Sequence, residues 1–114
     1  MMMEREWRMS EVLGFLGRRD CLFVDLRSPE EYRAGHLRGS WNIPFENLES
    51  EKGKLQGWRK VFLYCDRGNN SLIAYRSLRK EGYPVVNLWG GVNAFQYELN
   101  GKLKNSVDYL WEKN

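Results

Sequence analysis

Val61-Phe62-Leu63-Tyr64-Cys65-Asp66-Arg67-Gly68-Asn69-Asn70-Ser71-Leu72-Ile73-Ala74-Tyr75-Arg76-Ser77-Leu78 is the stretch whose reading decides the fold. Its first four residues are apolar, aromatic or β-branched, the pattern of a strand buried on both faces. The apolar run stops at Cys65, and small or polar residues follow to Ser71. From there Ser71, Ala74, Tyr75 and Leu78 fall at i, i+3, i+4 and i+7, one face of a helix that runs to Gly82. Cys65 therefore ends a strand and opens a loop that feeds directly into a helix. Such a loop turns successive backbone N–H groups inward, and the helix adds its own unpaired N–H groups and positive dipole end. A nest of this kind binds anions and favours thiolate over thiol. Gly68 supplies conformational freedom, and Asn69 and Asn70 are candidate helix caps. The competing reading of Cys65 is a structural cysteine beside an ordinary turn.

Outside this stretch, strands and helices alternate. Trp7-Arg8-Met9 reads as a short first strand, and Ser10 as the cap of a helix through Leu16 with Val12, Leu13 and Leu16 on one side, stopped by Gly17. Cys21-Leu22-Phe23-Val24-Asp25-Leu26 is a second continuous apolar run, suited to the middle of a parallel sheet. Ser28-Pro29-Glu30-Glu31 is a helix start with Ser28 as cap, Pro29 in the first turn and Glu31 closing a capping box; Gly35 ends that helix. Residues 45–54 read as irregular charged helix or loop. Tyr83 to Leu88 is a further strand, and Gly90-Gly91 opens a last helix with Val92, Phe95 and Leu99 on one stripe. Strands alternating with crossover helices indicate an α/β fold with helices on both faces.

Composition narrows the function classes. The chain has 114 residues, 42% hydrophobic and 29% charged, which fits one globular domain. Its 18 basic residues are interleaved with 15 acidic ones for a net +3, so no basic stripe for nucleic acid forms. No apolar run approaches the roughly 18 residues of a membrane span. The start, Met1-Met2-Met3-Glu4-Arg5-Glu6, lacks the apolar core of a signal peptide, and the cytoplasm is the expected compartment.

Two segments resemble the rhodanese family. Asp25-Leu26-Arg27-Ser28-Pro29-Glu30-Glu31-Tyr32-Arg33-Ala34-Gly35-His36-Leu37-Arg38-Gly39-Ser40-Trp41-Asn42-Ile43-Pro44 is similar to that family's D-x-R-x-x-x-E-[YF]-x-x-G-H-[IL]-x-G-[AS]-x-N-I-P signature. Tyr64 through Ser71 is similar to its active loop, and Gly90-Gly91 with Phe95 resembles its G-G-x-x-x-W ending. The resemblance covers roughly residues 8–99 and leaves 100–114 as a tail, in a single domain spanning 1–114. It implies a rhodanese-like three-layer fold, with a central, mostly parallel five-stranded sheet and Cys65 at the carboxyl edge of a central strand.

It also implies chemistry. Cys65 would take the sulfane sulfur of a donor such as thiosulfate as a persulfide and pass it to a thiophile: cyanide, a thiol or a sulfur-relay protein. No metal or cofactor is needed. Asp66, Arg67, Gly68, Asn69, Asn70 and Ser71 would form the loop that holds the anion, and Asp25 and Arg27 would support it, as an ion pair or in contact with substrate. The chain departs from the family at Asp66 and Asn70, where many active members carry cations, so a persulfide carrier or a catalytically weak interaction module are both open. Phosphatases of the same fold have a longer loop with an arginine six positions after the cysteine; here that position is Ser71.

The remaining residues are read as structural. His36 is expected to be a hydrogen-bonding strut rather than an acid or base. Cys21 begins a strand whereas Cys65 ends one, so the two thiols should lie near opposite edges of the sheet, beyond the roughly 7 Å a disulfide spans. The five tryptophans are scattered; Trp89, just after a strand at the catalytic edge, is the one placed to line a pocket. Val107 to Trp111 is apolar enough to dock on the domain or on another chain.

Overall fold

The computed structural model describes residues 7–101 and 111–113, excepting the side chains of 10 and 97–101. Its strands are β1 (Trp7–Arg8), β2 (Cys21–Asp25), β3 (His36–Leu37), β4 (Trp41–Asn42), β5 (Lys60–Tyr64), β6 (Val85–Trp89) and β7 (Trp111–Glu112). The helices are α1 (Pro29–Ala34), α2 (Leu48–Glu51), α3 (Asn69–Lys80) and α4 (Gly91–Gly101). Tighter 3₁₀ turns run over Met9–Phe15, Phe45–Asn47 and Lys52–Leu55.

Five strands form one sheet in the order β1-β6-β5-β2-β4, and every adjacent pair is parallel. This is the α/β architecture expected, with β5 at its centre. The continuous apolar runs follow from burial on both faces. Leu22, Val24, Val61, Leu63 and Cys65 point into a layer with Ala74, Tyr75 and Leu78 of α3 and with Leu48 and Leu55. Cys21, Phe23, Phe62 and Tyr64 point into the opposite layer, with Met9 and Val12 and with Val92 and Phe95 of α4. Phe23 stacks on Phe62 in that second layer, with ring centroids 4.7 Å apart and planes 20° from parallel, a distance favourable for aromatic pairs.

Several local expectations need correction. The first helix is a 3₁₀ segment starting at Met9, and its cap is not Ser10: Glu11 Oε1 accepts the N–H of Arg8 at 3.1 Å. The strand expected from Tyr83 to Leu88 begins at Val85 and extends to Trp89; Pro84, which has no N–H to give a ladder, stands just outside it and accepts the Val61 N–H at 2.8 Å. The capping box at Ser28 is as read, with Ser28 Oγ accepting the Glu31 N–H at 3.2 Å. Gly35 ends α1 for a reason of space: a Cβ there would overlap the Trp111 indole.

That indole belongs to β7, which pairs antiparallel with β3, matching His36 with Glu112 and Leu37 with Trp111. Trp111 thus docks in cis; Val107 to Leu110 lie outside the described residues, as does the side chain of Leu99. Among the described residues no helix is long and apolar enough to cross a membrane.

Candidate functional site

Leu63 and Tyr64 carry the central strand to the carboxyl edge of the sheet, and Cys65 follows with 2% of its surface exposed. The chain then turns over the sulfur. Gly68 sits at φ +93°, a left-handed conformation that favours glycine, and its N–H lies 3.1 Å from Cys65 Sγ. The Ser71 N–H, in the first turn of α3, reaches the same sulfur at 3.4 Å. Ser71 Oγ, wholly buried, accepts from the thiol at 3.5 Å and donates to the Gly68 carbonyl at 3.2 Å. A sulfur anion would thus meet two fixed N–H donors, the amino end of a twelve-residue helix, and a hydroxyl able to turn towards it.

The nest is narrower than the sequence suggested. The Arg67 N–H, one of the donors expected to face the sulfur, is bonded to Asp66 Oδ1 at 2.9 Å. Neither asparagine caps α3: Gly68 occupies the cap position, and Asn69 and Asn70 are its first helical residues. The side chains of Asp66, Arg67, Asn69 and Asn70 all face solvent, whereas Gly68 and Ser71 are buried. The two departures from the family pattern, Asp66 and Asn70, therefore lie on the outer rim of the loop.

A second helix fixes the loop from behind. The N–H groups of Val92 and Asn93, unpaired at the start of α4, donate to the carbonyls of Cys65 and Asp66, both at 2.9 Å. Such close approach requires Gly91, which sits at φ +58°; a Cβ there would overlap the Cys65 carbonyl oxygen and lie 2.8 Å from that of Asp66. Gly90 packs next to Gly68, whose added Cβ would come within 3.1 Å of the Gly90 nitrogen. This support role went unread in the sequence, although the adjacent glycines before an apolar-periodic stretch were its signal.

Asp25 and Arg27 form a strut. Asp25 is fully buried and in register with Tyr64, one residue before Cys65. Arg27 grips its carboxylate through Nε at 3.0 Å and Nη2 at 2.7 Å, and Nη2 also donates to the Gly35 carbonyl at 2.6 Å. The pair ties the end of β2 to the end of α1. The carboxylate and its hydrogen bonds push the Arg27 guanidinium up against the opposing effect of burial, so it stays charged. Tyr64, also missed as a functional position, links the same region: its hydroxyl accepts the buried Leu37 N–H at 3.1 Å and bonds Ser40 Oγ at 3.1 Å. Burial, then the Asp25 carboxylate, pushes the Tyr64 phenol well above its ordinary range.

His36 is held at both ring nitrogens, Nδ1 to the Tyr32 carbonyl at 2.7 Å and Nε2 to Glu112 at 3.4 Å, and it stacks on the Tyr32 ring at 3.7 Å. That is the geometry of a strut. Cys21 is in register with Lys60 at the far end of the β2–β5 ladder and points into the opposite layer from Cys65, so the two thiols cannot bridge. Burial and the neighbouring Asp20 carboxylate push the Cys21 thiol up, which keeps it protonated and inert. Trp89 is 48% exposed at the carboxyl edge of the sheet, with Arg8 5.6 Å from its ring centre. The sixth position after Cys65 holds the buried Ser71 hydroxyl, so no guanidinium stands where a phosphatase loop places one.

The rhodanese-like domain model matches residues 9–98. The chain belongs to the rhodanese-like domain family. Within it, YqhL of Bacillus subtilis, an uncharacterized protein, is 35% identical over 87 residues, covering 75% of this chain and 69% of that one. A sulfurtransferase of Allochromatium vinosum is 32% identical over 77 residues, covering 67% of this chain and 72% of that one. Among solved structures, the rhodanese-related protein of Thermoplasma volcanium superposes with a TM-score of 0.73 at 25% identity, over 83% of this chain and 93% of that one. The cysteine loop, the glycine pair behind it and the Asp25–Arg27 strut are thus features of one rhodanese-like domain.

Proposed function

We propose that this rhodanese-like domain is a sulfurtransferase that carries sulfane sulfur on Cys65. The observation that carries the reading is the convergence of the Gly68 and Ser71 N–H groups on Cys65 Sγ at the amino end of α3. The similarity to the A. vinosum sulfurtransferase supports the reaction class.

With thiosulfate as donor, the Cys65 thiolate attacks the outer sulfur. A new S–S bond forms, the S–S bond of thiosulfate breaks, and sulfite leaves with its electron pair. Cys65 then bears a persulfide whose terminal sulfur is the anion, and the loop donors stabilise it as it develops. A thiophile attacks that terminal sulfur, and the Cys65 thiolate is the leaving group. Cyanide leaves as thiocyanate, and a small thiol or a relay protein's cysteine leaves as a persulfide. Proton transfer is confined to the incoming thiol, so no acid–base residue is required, in keeping with His36 being committed at both nitrogens. Asp25 and Arg27 act as positioning residues through the end of β2.

A second reading has its own observation. Cys65 is 2% exposed and its loop rim bears Asp66 instead of a cation, which suits a domain that binds a partner and leaves the thiol idle. Thiocyanate formation from thiosulfate and cyanide separates the two. The sulfurtransferase gives turnover that disappears in Cys65→Ser and persists in Cys21→Ser; an idle module gives no turnover with any of thiosulfate, polysulfide or a persulfidated small thiol.

A further inference from the structure

The sheet has an unfinished edge, far from Cys65. Strand β4 is two residues long and, among the described residues, pairs only with Val24 and Asp25 of β2. On its other side β2 is fully paired, from Cys21 through Asp25, with β5. Among the described residues Cys21, Leu22 and Phe23 therefore have no strand neighbour on the β4 side, and the Cys21 N–H is given to the Arg18 carbonyl at 3.3 Å. Their side chains are buried in the two layers, so what they present outward is the main-chain edge.

This edge does not face open solvent. It lies in a groove of about 460 Å³ between the loop that enters β2 and the turn that enters β4. Arg18 and Arg19 form one end, Arg38 stands on the β4 turn, and Trp41 and Trp58 form a wall. The two indoles meet edge to face at 5.6 Å, and Trp41 keeps 40% of its surface exposed. Among the described residues no carboxylate lines the groove. Asp20, the nearest in sequence, lies outside the lining; it pairs with Arg18 at 3.3 Å and Arg59 at 3.8 Å through exposed side chains, contacts that solvent screens, while Arg19 is exposed at the same end. Arg38 meets Glu112 at 3.6 Å with both side chains about half exposed, a contact that solvent screens.

We infer that this groove takes an extended acidic peptide segment of a protein partner, which adds as a short strand beside Cys21–Phe23. Three strand residues span about 10 Å. Main-chain groups alternate along β2, with Asp20 and Leu26 bonding the β5 side and Asp25 the β4 side, so an added strand would pair with the Cys21 carbonyl and the Phe23 N–H. Affinity of this kind comes from the main chain, and choice of sequence from the alternating side chains. Residues on one face of the added strand would rest on Trp41 and Trp58, which suits an apolar side chain. Residues on the other face would meet the arginines, which suits glutamate or aspartate, and like charge there would repel a basic segment. Cys21 lies at the opposite end of the β2–β5 ladder from the residue preceding Cys65, so a peptide bound here leaves the sulfur site open. The surface is thus a means of holding a partner while Cys65 works, and it stands whether or not Cys65 transfers sulfur.

The test is fluorescence anisotropy at low ionic strength with a labelled peptide of alternating glutamate and valine, read together with backbone amide NMR. The expected result is saturable binding that shifts the amides of Cys21, Leu22 and Phe23 and leaves those of Gly68 and Ser71 unmoved. The lysine–valine counterpart, and the acidic peptide N-methylated at alternate residues, should each bind at least about tenfold more weakly. Arg19→Glu and Trp41→Ala, both on exposed side chains, should weaken the acidic peptide similarly, while Cys65→Ser should bind it like the parent. Equal binding of the acidic and basic peptides, indifference to N-methylation, amide shifts confined to other surfaces, or binding of adenosine monophosphate in place of the peptide would each overturn the assignment.

Discussion

Replacing Gly91 by alanine should uncouple the cysteine loop from its support. Gly91 sits at φ +58°, and a side chain in that region costs about 1–2 kcal/mol. The added methyl would also overlap the Cys65 carbonyl oxygen and crowd that of Asp66 at 2.8 Å, so α4 and the loop must move apart. Separation breaks the Val92 and Asn93 N–H bonds to those carbonyls, each contributing about 1 kcal/mol, more where the freed carbonyl stays buried. The sum is about 3–5 kcal/mol, a large part of the stability of a domain this size. It corresponds to a fall in Tm of roughly 15–30 °C. Gly82→Ala is the control: Gly82 has a similar positive φ of +89°, but nothing lies within 4 Å of an added Cβ, so strain alone remains, about 1–2 kcal/mol. Urea unfolding of both variants measures the difference, and iodoacetamide labelling of Cys65 reports the loop. A Gly91→Ala protein no less stable than Gly82→Ala, or one whose Cys65 labels at the parent rate, would refute the idea that α4 holds the loop.

Three further outcomes follow from the same geometry. Ser71→Ala removes the hydroxyl beside Cys65 Sγ and should slow sulfur loading about fivefold, one hydrogen bond's worth of anion stabilisation, as stopped-flow release of sulfite would show. Tyr64→Phe leaves the buried Leu37 N–H without its acceptor and should cost about 1–3 kcal/mol in urea unfolding at neutral pH. It should also flatten the alkaline limb of stability: burial raises the folded Tyr64 phenol, so its contribution is whole below about pH 10, where the unfolded phenol titrates, and is lost as pH rises towards the folded value. Gly35→Ala should expel Trp111 from β3, raising the susceptibility of the carboxyl-terminal segment to limited proteolysis and costing about 1–2 kcal/mol, while Cys65 still loads sulfur.

The parallel core was legible because Leu22 to Val24 and Val61 to Tyr64 are apolar without alternation, which only a sheet covered on both faces rewards. The cysteine at a strand end and the i, i+3, i+4, i+7 face from Ser71 located the site for the same reason, since both are local patterns. What the sequence hid is non-local. Which N–H groups reach Cys65 Sγ depends on Asp66 turning its carboxylate back to the Arg67 N–H, a choice made by the shape of the loop. The role of Gly91 depends on the carboxyl edge of β5 meeting the start of α4, and that of Gly35 on an indole 76 residues later in the chain. The cap at Arg8 was misplaced because the 3₁₀ turn begins at Met9, two residues earlier than a helix capped by Ser10 would.

The central claim is that Cys65 alone carries sulfur, and intact-protein mass spectrometry after incubation with thiosulfate tests it most directly. The account predicts a gain of one sulfur atom, removed by dithiothreitol, absent in Cys65→Ser and retained in Cys21→Ser. No gain in the parent protein, or a gain that survives Cys65→Ser, would contradict it.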